Sequence, residues 1–299
     1  MKALVTGGTG FLGHYIVHEL HKQGIKTLVY DTIPPNDSII RGLDISTNDY
    51  VNADILNSEI LKSAMLDCSL VFHTAGIADI NITRNIPIKT MEVNVVGTAN
   101  CLMCAHETAV KRFVFASSVY ASGNRGNFYR VSKRAGEDLC KTFSDEFSLD
   151  YTICRYGSLY GREANHWNFM YGVIKSLLTN GEYVYTSSPD AVREYIHVFD
   201  AARETVRIAQ DPEYINKSVL LTGHQRMKMQ ELFDMIREIL GGDVKIHFKP
   251  ETVQSHYIRT PYSFERDVPL RINMAHYTDI NEGILDCLNE VKKEIARKK

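Results

Sequence analysis

Residues 5–13, VTGGTGFLG, constrain the fold more than any other stretch of the chain. An apolar run, KALVTG, leads into them, and an amphipathic run, FLGHYIVHELHKQG, leads out and stops at Gly24. Strand, glycine turn and helix in that order open a βαβ unit. The glycines fit either Gly8-x-Gly10-x-x-Gly13 or Gly7-x-x-Gly10-x-x-Gly13. Both supply a tight turn, bare backbone beside a pyrophosphate, and close contact between helix and strand. Free N–H groups and the positive end of the helix then attract phosphate.

The alternation begun there continues. KTLVYD, YVNADI, SLVFHTAG, KRFVFASS and DYTICRYGSLYG read as further strands. Helical segments separate them, among them one from Pro87 to Ala109 and one from Phe128 to Phe147. Val-, Ile- and Phe-rich strands joined by helices predict a Rossmann-like, doubly wound α/β fold with a parallel sheet covered on both faces. Beyond Gly161 the pattern loosens into a smaller α/β lobe. The chain is therefore divided into a dinucleotide-binding domain over 1–164 and a substrate-binding lobe over 165–299, with 193–225 returning to the first.

A net charge of −2 offers no bulk attraction for nucleic acid or for an anionic membrane. No apolar run reaches the about 18 residues needed to span a bilayer. MKALVTGG enters a strand directly, without the apolar core of a signal peptide, and six scattered cysteines suit reduced thiols; together these predict a cytoplasmic protein. Cys101 and Cys104 form a C-x-x-C inside a helical pattern, which reads as core rather than as a metal or redox pair.

Two residue patterns carry chemistry. Asp31 ends the second strand, 18 residues after Gly13. A carboxylate there accepts hydrogen bonds from an adenosine ribose and repels a 2′-phosphate, and Thr32 and Ile33 add no cation, so NAD is favoured over NADP. Tyr129 and Lys133 stand four apart on a helix and so share a face. The ammonium favours a phenolate, which is otherwise scarce at neutral pH. Ser117 and Ser118 end the preceding strand, where a hydroxyl can hold a reacting oxygen. Tyr120 has Asn124 at the same offset and lacks such a partner.

TGGTGFLG, HTAG (73–76), NVVGT (94–98), SS (117–118), YRVSK (129–133), RYGSLYG (155–161) and REYIHVFD (193–200) follow in order. Together they resemble the extended short-chain dehydrogenase/reductase family, in particular its sugar-nucleotide epimerases and dehydratases. The resemblance covers about residues 1–225 and implies a catalytic trio of Ser118, Tyr129 and Lys133. For the cofactor it implies Gly7, Gly10, Phe11, Leu12 and Gly13 at the pyrophosphate, with Asp31 at the ribose. Asp54 and Ile55 would lie at the adenine, Ala75, Gly76 and Asn94 beside the cofactor, and Tyr156 by the nicotinamide. Ser158, Asn168 (or Asn165) and Arg193 would contact a nucleotide-sugar, Arg193 through the diphosphate, while Ser118 would also touch the sugar. His197 reads as structural.

Two departures from the family pattern stand out. Members often carry an inserted loop between serine and tyrosine, whereas Tyr129 follows Ser118 by 11 positions; the mouth of the site should be more open. Ser158 replaces an asparagine and reaches less far. The resemblance implies a first step in which tyrosinate removes a proton and NAD a hydride at C4 of the sugar. Dehydratases of the family place Asp-Glu after the serine; here Val119 and Tyr120 follow, which disfavours 4,6-dehydration. The expected activity is therefore a nucleotide-sugar 4-epimerase. A non-catalytic NAD-sensing protein is the alternative outside enzymes. A homodimer is expected through two helices per subunit, with Leu139, Phe143 and Phe147 as the apolar stripe.

The preferred substrate for that 4-epimerase is a UDP-sugar. A nucleotide-sugar C4 dehydrogenase or keto-sugar reductase is the alternative among enzymes, because Ser118, Tyr129 and Lys133 do not determine where the hydride ends up.

Overall fold

The computed structural model describes residues 1–34, 49–164, 166–249, 256–259 and 269–297. Asn165 lies outside them. The strands in the first half are β1 (Lys2–Thr6), β2 (Lys26–Asp31), β3 (Tyr50–Asn52), β4 (Leu70–His73), β5 (Arg112–Ser118) and β6 (Tyr151–Tyr156). Those in the second half are β7 (Ser158–Tyr160), β8 (Glu182–Tyr185), β9 (Val192–His197), β10 (Lys217–Leu221), β11 (Arg226–Lys228), β12 (Lys245–Phe248) and β13 (Leu270–Arg271). Eight of them form one sheet in the order β13-β10-β6-β5-β4-β1-β2-β3. Every pairing in it is parallel. The order reverses between β1 and β4, which opens a crevice at the carboxyl ends of those strands.

Both faces of the sheet are covered. On one side the helices Phe11–Lys22 and Val198–Gln210 pack with Val5, Val29, Val114 and Cys154. On the other, Ser58–Met65, Gly97–Glu107 and Asn127–Phe147 pack with Leu4, Val71, Phe113 and Ile153. Near-continuous apolar strands follow from this double burial. A third core joins the helices Phe169–Asn180, Met229–Ile239 and Ile280–Arg297 to Tyr185 and Met227. The chain passes between the two bodies more than once, since β10 and the short β13 both return to the large sheet.

Three local details differ from the sequence reading. The stretch from Pro87 is not one helix: Pro87–Met91 and Gly97–Glu107 flank a π-helical segment, Glu92–Val96. Such a wide turn turns Asn94 inward, a recurrent feature of functional sites. The sixth strand divides at Gly157; β6 stays in the large sheet while β7 pairs with β9. The stripe of Leu139, Phe143 and Phe147 does not face outward as a unit. Phe143 is 8% exposed and packs in its own core with Leu139 against it, whereas Phe147 is 41% exposed. Cys101 and Cys104 are buried in that same core, where burial pushes both thiols up.

Candidate active site

The crevice is part of a cleft of about 1800 Å³ that runs from the glycine turn to Arg193 and the C-terminal helix. At its cofactor end the register Gly7-x-x-Gly10-x-x-Gly13 is the one that shapes the turn. Gly7 has φ 69° and donates its N–H to Tyr30 O at 2.9 Å. A Cβ on Gly13 would lie 2.0 Å from Gly7 O, so the helix starts in direct contact with the turn. Asp31 sits beside it, its carboxylate accepting from the N–H groups of Thr9 and Ile33, both at 3.1 Å. Those bonds hold the carboxylate at the mouth of the cleft that it lines. Phe11, Leu12, Asp54, Ile55, Ala75 and Gly76 line the same region. Asp54 is fixed by the N–H of Leu56 at 3.0 Å, and Tyr30 donates to its carbonyl at 2.9 Å. A bare-backbone cradle at a helix start, followed by a strand-end carboxylate, fits a dinucleotide such as NAD.

The loop after β4 is held from below. His73 bridges Thr6 Oγ1 at 2.7 Å and Thr98 Oγ1 at 2.9 Å. Its imidazole is neutral, because burial and then Lys133 push its pKa down to about 3. Asn94 reaches the loop from the π turn. Its Oδ1 accepts from Ile77 N at 2.8 Å, and its Nδ2 donates to Ile77 O and Ser132 Oγ, each at 3.0 Å. With these bonds made, Asn94 ties the loop to the Asn127–Phe147 helix and supports the site from behind.

Tyr129 and Lys133 stand on that helix, facing the end of β5. Lys133 Nζ donates to Ala116 O at 2.7 Å and lies 5.9 Å from the Tyr129 ring centroid. Burial pulls its pKa down to about 8, against the opposing pull of Glu137 and then Cys140. Burial raises the pKa of Tyr129, and a hydrogen bond with Ser118 works the other way. Ser118 also caps the 3₁₀ turn Val119–Ser122, accepting from Tyr120 N at 3.3 Å. The structure thus brings Ser118, Tyr129 and Lys133 to one wall of the cleft.

Beneath them lies a network absent from the sequence reading. Arg155 donates to Glu137 Oε1 at 2.8 Å and to Oε2 at 2.7 Å, while Ser117 donates to Oε1 at 2.5 Å. A further Arg155 bond, to Ser122 Oγ at 2.9 Å, reaches the turn behind Ser118. Glu137 follows Lys133 by four residues, so Tyr129, Lys133 and Glu137 form one ladder along the helix. That spacing was the available signal. The arginine inside the apolar run TICRY was its complement, since buried charges come paired.

Arg193 forms the far wall. Its NH1 donates to Val192 O at 2.9 Å and to Tyr257 O at 2.6 Å, and its guanidinium lies 4.2 Å from the Tyr257 ring centroid. Glu194 pairs instead with Arg226 at 2.7 Å, and Asp190 with Lys228 at 3.1 Å. Among the described residues Arg193 has no carboxylate partner, which leaves a buried cation open to an anionic ligand. Ser158 lines the cleft and hydrogen-bonds Tyr257. Two other candidates are engaged elsewhere. Asn168 caps the Phe169–Asn180 helix through Met170 N at 3.1 Å and donates to Leu159 O at 2.9 Å. Tyr156 is among the residues lining the cleft, but its side chain is buried and its hydroxyl meets Thr205 Oγ1 at 2.6 Å in the core. His197 caps its helix through Phe199 N at 3.4 Å.

Residues 3–221 match the model of the NAD dependent epimerase/dehydratase family. Among similar proteins, a UDP-N-acetyl-alpha-D-glucosaminuronate decarboxylase from Bacillus cytotoxicus is 27% identical over 278 residues, 85% of either chain. Among solved structures, a UDP-glucose 4-epimerase from Thermotoga maritima with UDP-glucose superposes with TM-score 0.80 at 21% identity, covering 99% of this chain and 100% of that one. A UDP-glucuronic acid 4-epimerase from Bacillus cereus, in complex with UDP-glucuronic acid and NAD, gives TM-score 0.81 at 20% identity, covering 98% and 100%. At these identities the superpositions establish the shared fold.

Proposed function

The chain belongs to the NAD-dependent epimerase/dehydratase family, and from that premise we propose that it is a nucleotide-sugar 4-epimerase acting on a UDP-sugar through a transient 4-keto sugar. The observation that carries this reading is the cleft itself, which has a tyrosine–lysine base on one wall and, on the other, a buried arginine with no carboxylate partner among the described residues. Arg193 holds the diphosphate by charge and forked donors. Ser118 orients the C4 hydroxyl, and Tyr129 removes its proton. Lys133 favours the phenolate by its charge. The glycine turn and Asp31 would hold NAD, which would supply the hydride chemistry at C4. Dehydration needs an acid beside the serine, and the turn there carries Val119 and Tyr120 instead.

Tyr129→Phe keeps the ring and removes the hydroxyl. Turnover should fall by about 10² or more, the usual scale for acid–base help, with NAD content unchanged. The assay is interconversion of UDP-sugar epimers with NADH absorbance followed alongside. Undiminished turnover in the variant refutes the role of Tyr129; steady NADH accumulation without epimer would reassign the chain as a C4 dehydrogenase.

A homodimer is part of the same reading. Val96, Met103, Val131 and Phe147 are exposed apolar side chains on the π turn and on the helices Gly97–Glu107 and Asn127–Phe147. A second copy covers this face, and light scattering should give twice the chain mass at micromolar concentration. A monomer there overturns the assembly.

A further inference from the structure

Residues 256–259 come from the C-terminal part of the chain and are held against the cleft at several points. Tyr120 Oη meets His256 Nδ1 at 2.7 Å, Tyr257 O accepts from Arg193, and Ile258 O accepts from Val192 N at 2.9 Å. The aromatic rings continue the connection. Tyr120 lies 6.2 Å from Tyr129 on one side and 4.9 Å from Tyr257 on the other, by ring centroids. Tyr257 in turn carries the Arg193 guanidinium. An unbroken row of side chains therefore runs from the base to the cation.

We infer that Tyr120 and His256 together read the sugar of the substrate, as specificity-determining residues that act on the sugar and not on the nucleotide. The inference rests on the nucleotide-sugar reading above. A ligand with its reacting hydroxyl at Tyr129 and its diphosphate at Arg193 lays its sugar along the row between them, against Tyr120 and the His256 bonded to it, both of which line the cleft. Their protonation defines what they offer. Burial and then Arg193 push His256 down to about 4, so the imidazole is neutral, and burial keeps the Tyr120 phenol protonated. The neutral pair shares one proton between Oη and Nδ1 and keeps one further donor, the Nε2 N–H when the phenol donates or the phenol O–H when the imidazole does. The pair presents an aromatic face and one neutral donor, a combination suited to the acceptor oxygens of a sugar substituent.

The test compares sugar-bearing and sugar-free ligands on the NAD-loaded protein. Calorimetry is run with UDP, UDP-glucose and UDP-glucuronate on the wild type, Tyr120→Phe and His256→Ala. Both variants should keep the wild-type affinity for UDP within about twofold, because Arg193 retains Val192 O and the Tyr257 ring. The better-bound UDP-sugar should weaken by about tenfold, and the preference between the two sugars should shrink. NAD content reports whether the variants remain folded. An unchanged ratio of UDP-sugar to UDP affinity in both variants overturns the inference, and so does a parallel loss for UDP and both sugars, which marks a purely structural role. A wild type that binds none of the three ligands overturns the nucleotide-sugar reading itself, and this inference with it.

Discussion

Replacing Arg155 by methionine tests the buried network beneath the wall that carries Ser118, Tyr129 and Lys133. The side chains of Arg155 and Glu137 are 9% and 3% exposed, and two short hydrogen bonds join them. Methionine preserves much of the volume but leaves the Glu137 carboxylate buried with Ser117 as its remaining direct donor in the network. Breaking a buried pair from one side costs about 3–5 kcal/mol, because the remaining charge is uncompensated. For a chain somewhat longer than 250 residues that corresponds to a fall in Tm of about 6–10 °C, near 2 °C per kcal/mol. Glu137→Gln in the Arg155→Met background removes the stranded charge while Ser117 keeps an acceptor. The double variant should therefore recover at least about 1.5 kcal/mol, a coupling typical of contacting residues. Thermal melts of the four proteins in saturating NAD supply the cycle. A drop below about 2 °C for Arg155→Met, or a double variant less stable than the single one, refutes the argument that the pair acts as a buried charge clip.

Gly13→Ala would set a methyl 2.0 Å from Gly7 O, a backbone atom, so the glycine turn has to shift. NAD affinity should fall by at least about tenfold, measured by calorimetry; equal affinity would show that the turn does not hold the pyrophosphate. Lys133→Met should change how stability depends on pH. In the wild type the folded-state pKa, about 8, lies below the unfolded value, so the folded protein releases its proton first. Stability attributable to this group therefore rises from pH about 8 up to the unfolded lysine pKa of about 10.4, by up to about 3 kcal/mol. Denaturant melts across that range should show the wild type gaining on Lys133→Met; parallel pH profiles would contradict the burial of a charged lysine.

What the sequence reveals depends on how far apart the partners are along the chain. The glycine turn, Asp31 and the Tyr129–Lys133 pair are legible because each is set by neighbours within a strand–turn–helix unit or one helical turn. Asn94 shows where that reach ends. Its residue type marks it as polar inside a helix, but only the π turn and the loop carbonyl of Ile77 give it a task. Asn168 is a similar case: an asparagine before an apolar run is also the usual N-cap, and the cap is the role its bonds fulfil. Tyr120 lacks a lysine at the helical offset, yet its hydroxyl has a partner 136 residues away. No periodicity links those two positions, since His256 sits in an irregular segment whose place is set by Arg193, Val192 and Tyr120. This division has a physical consequence for function. The residues proposed to handle the proton and the cofactor lie on helices and strand ends with local signatures, so a role for them can be proposed from the sequence. Of the pair proposed to read the sugar, Tyr120 follows β5 and His256 arrives from the C-terminal part of the chain, so on that reading substrate choice depends on contacts between distant segments. Changes confined to residues 256–259 should therefore alter which sugar is accepted while leaving the Ser118–Tyr129–Lys133 arrangement in place.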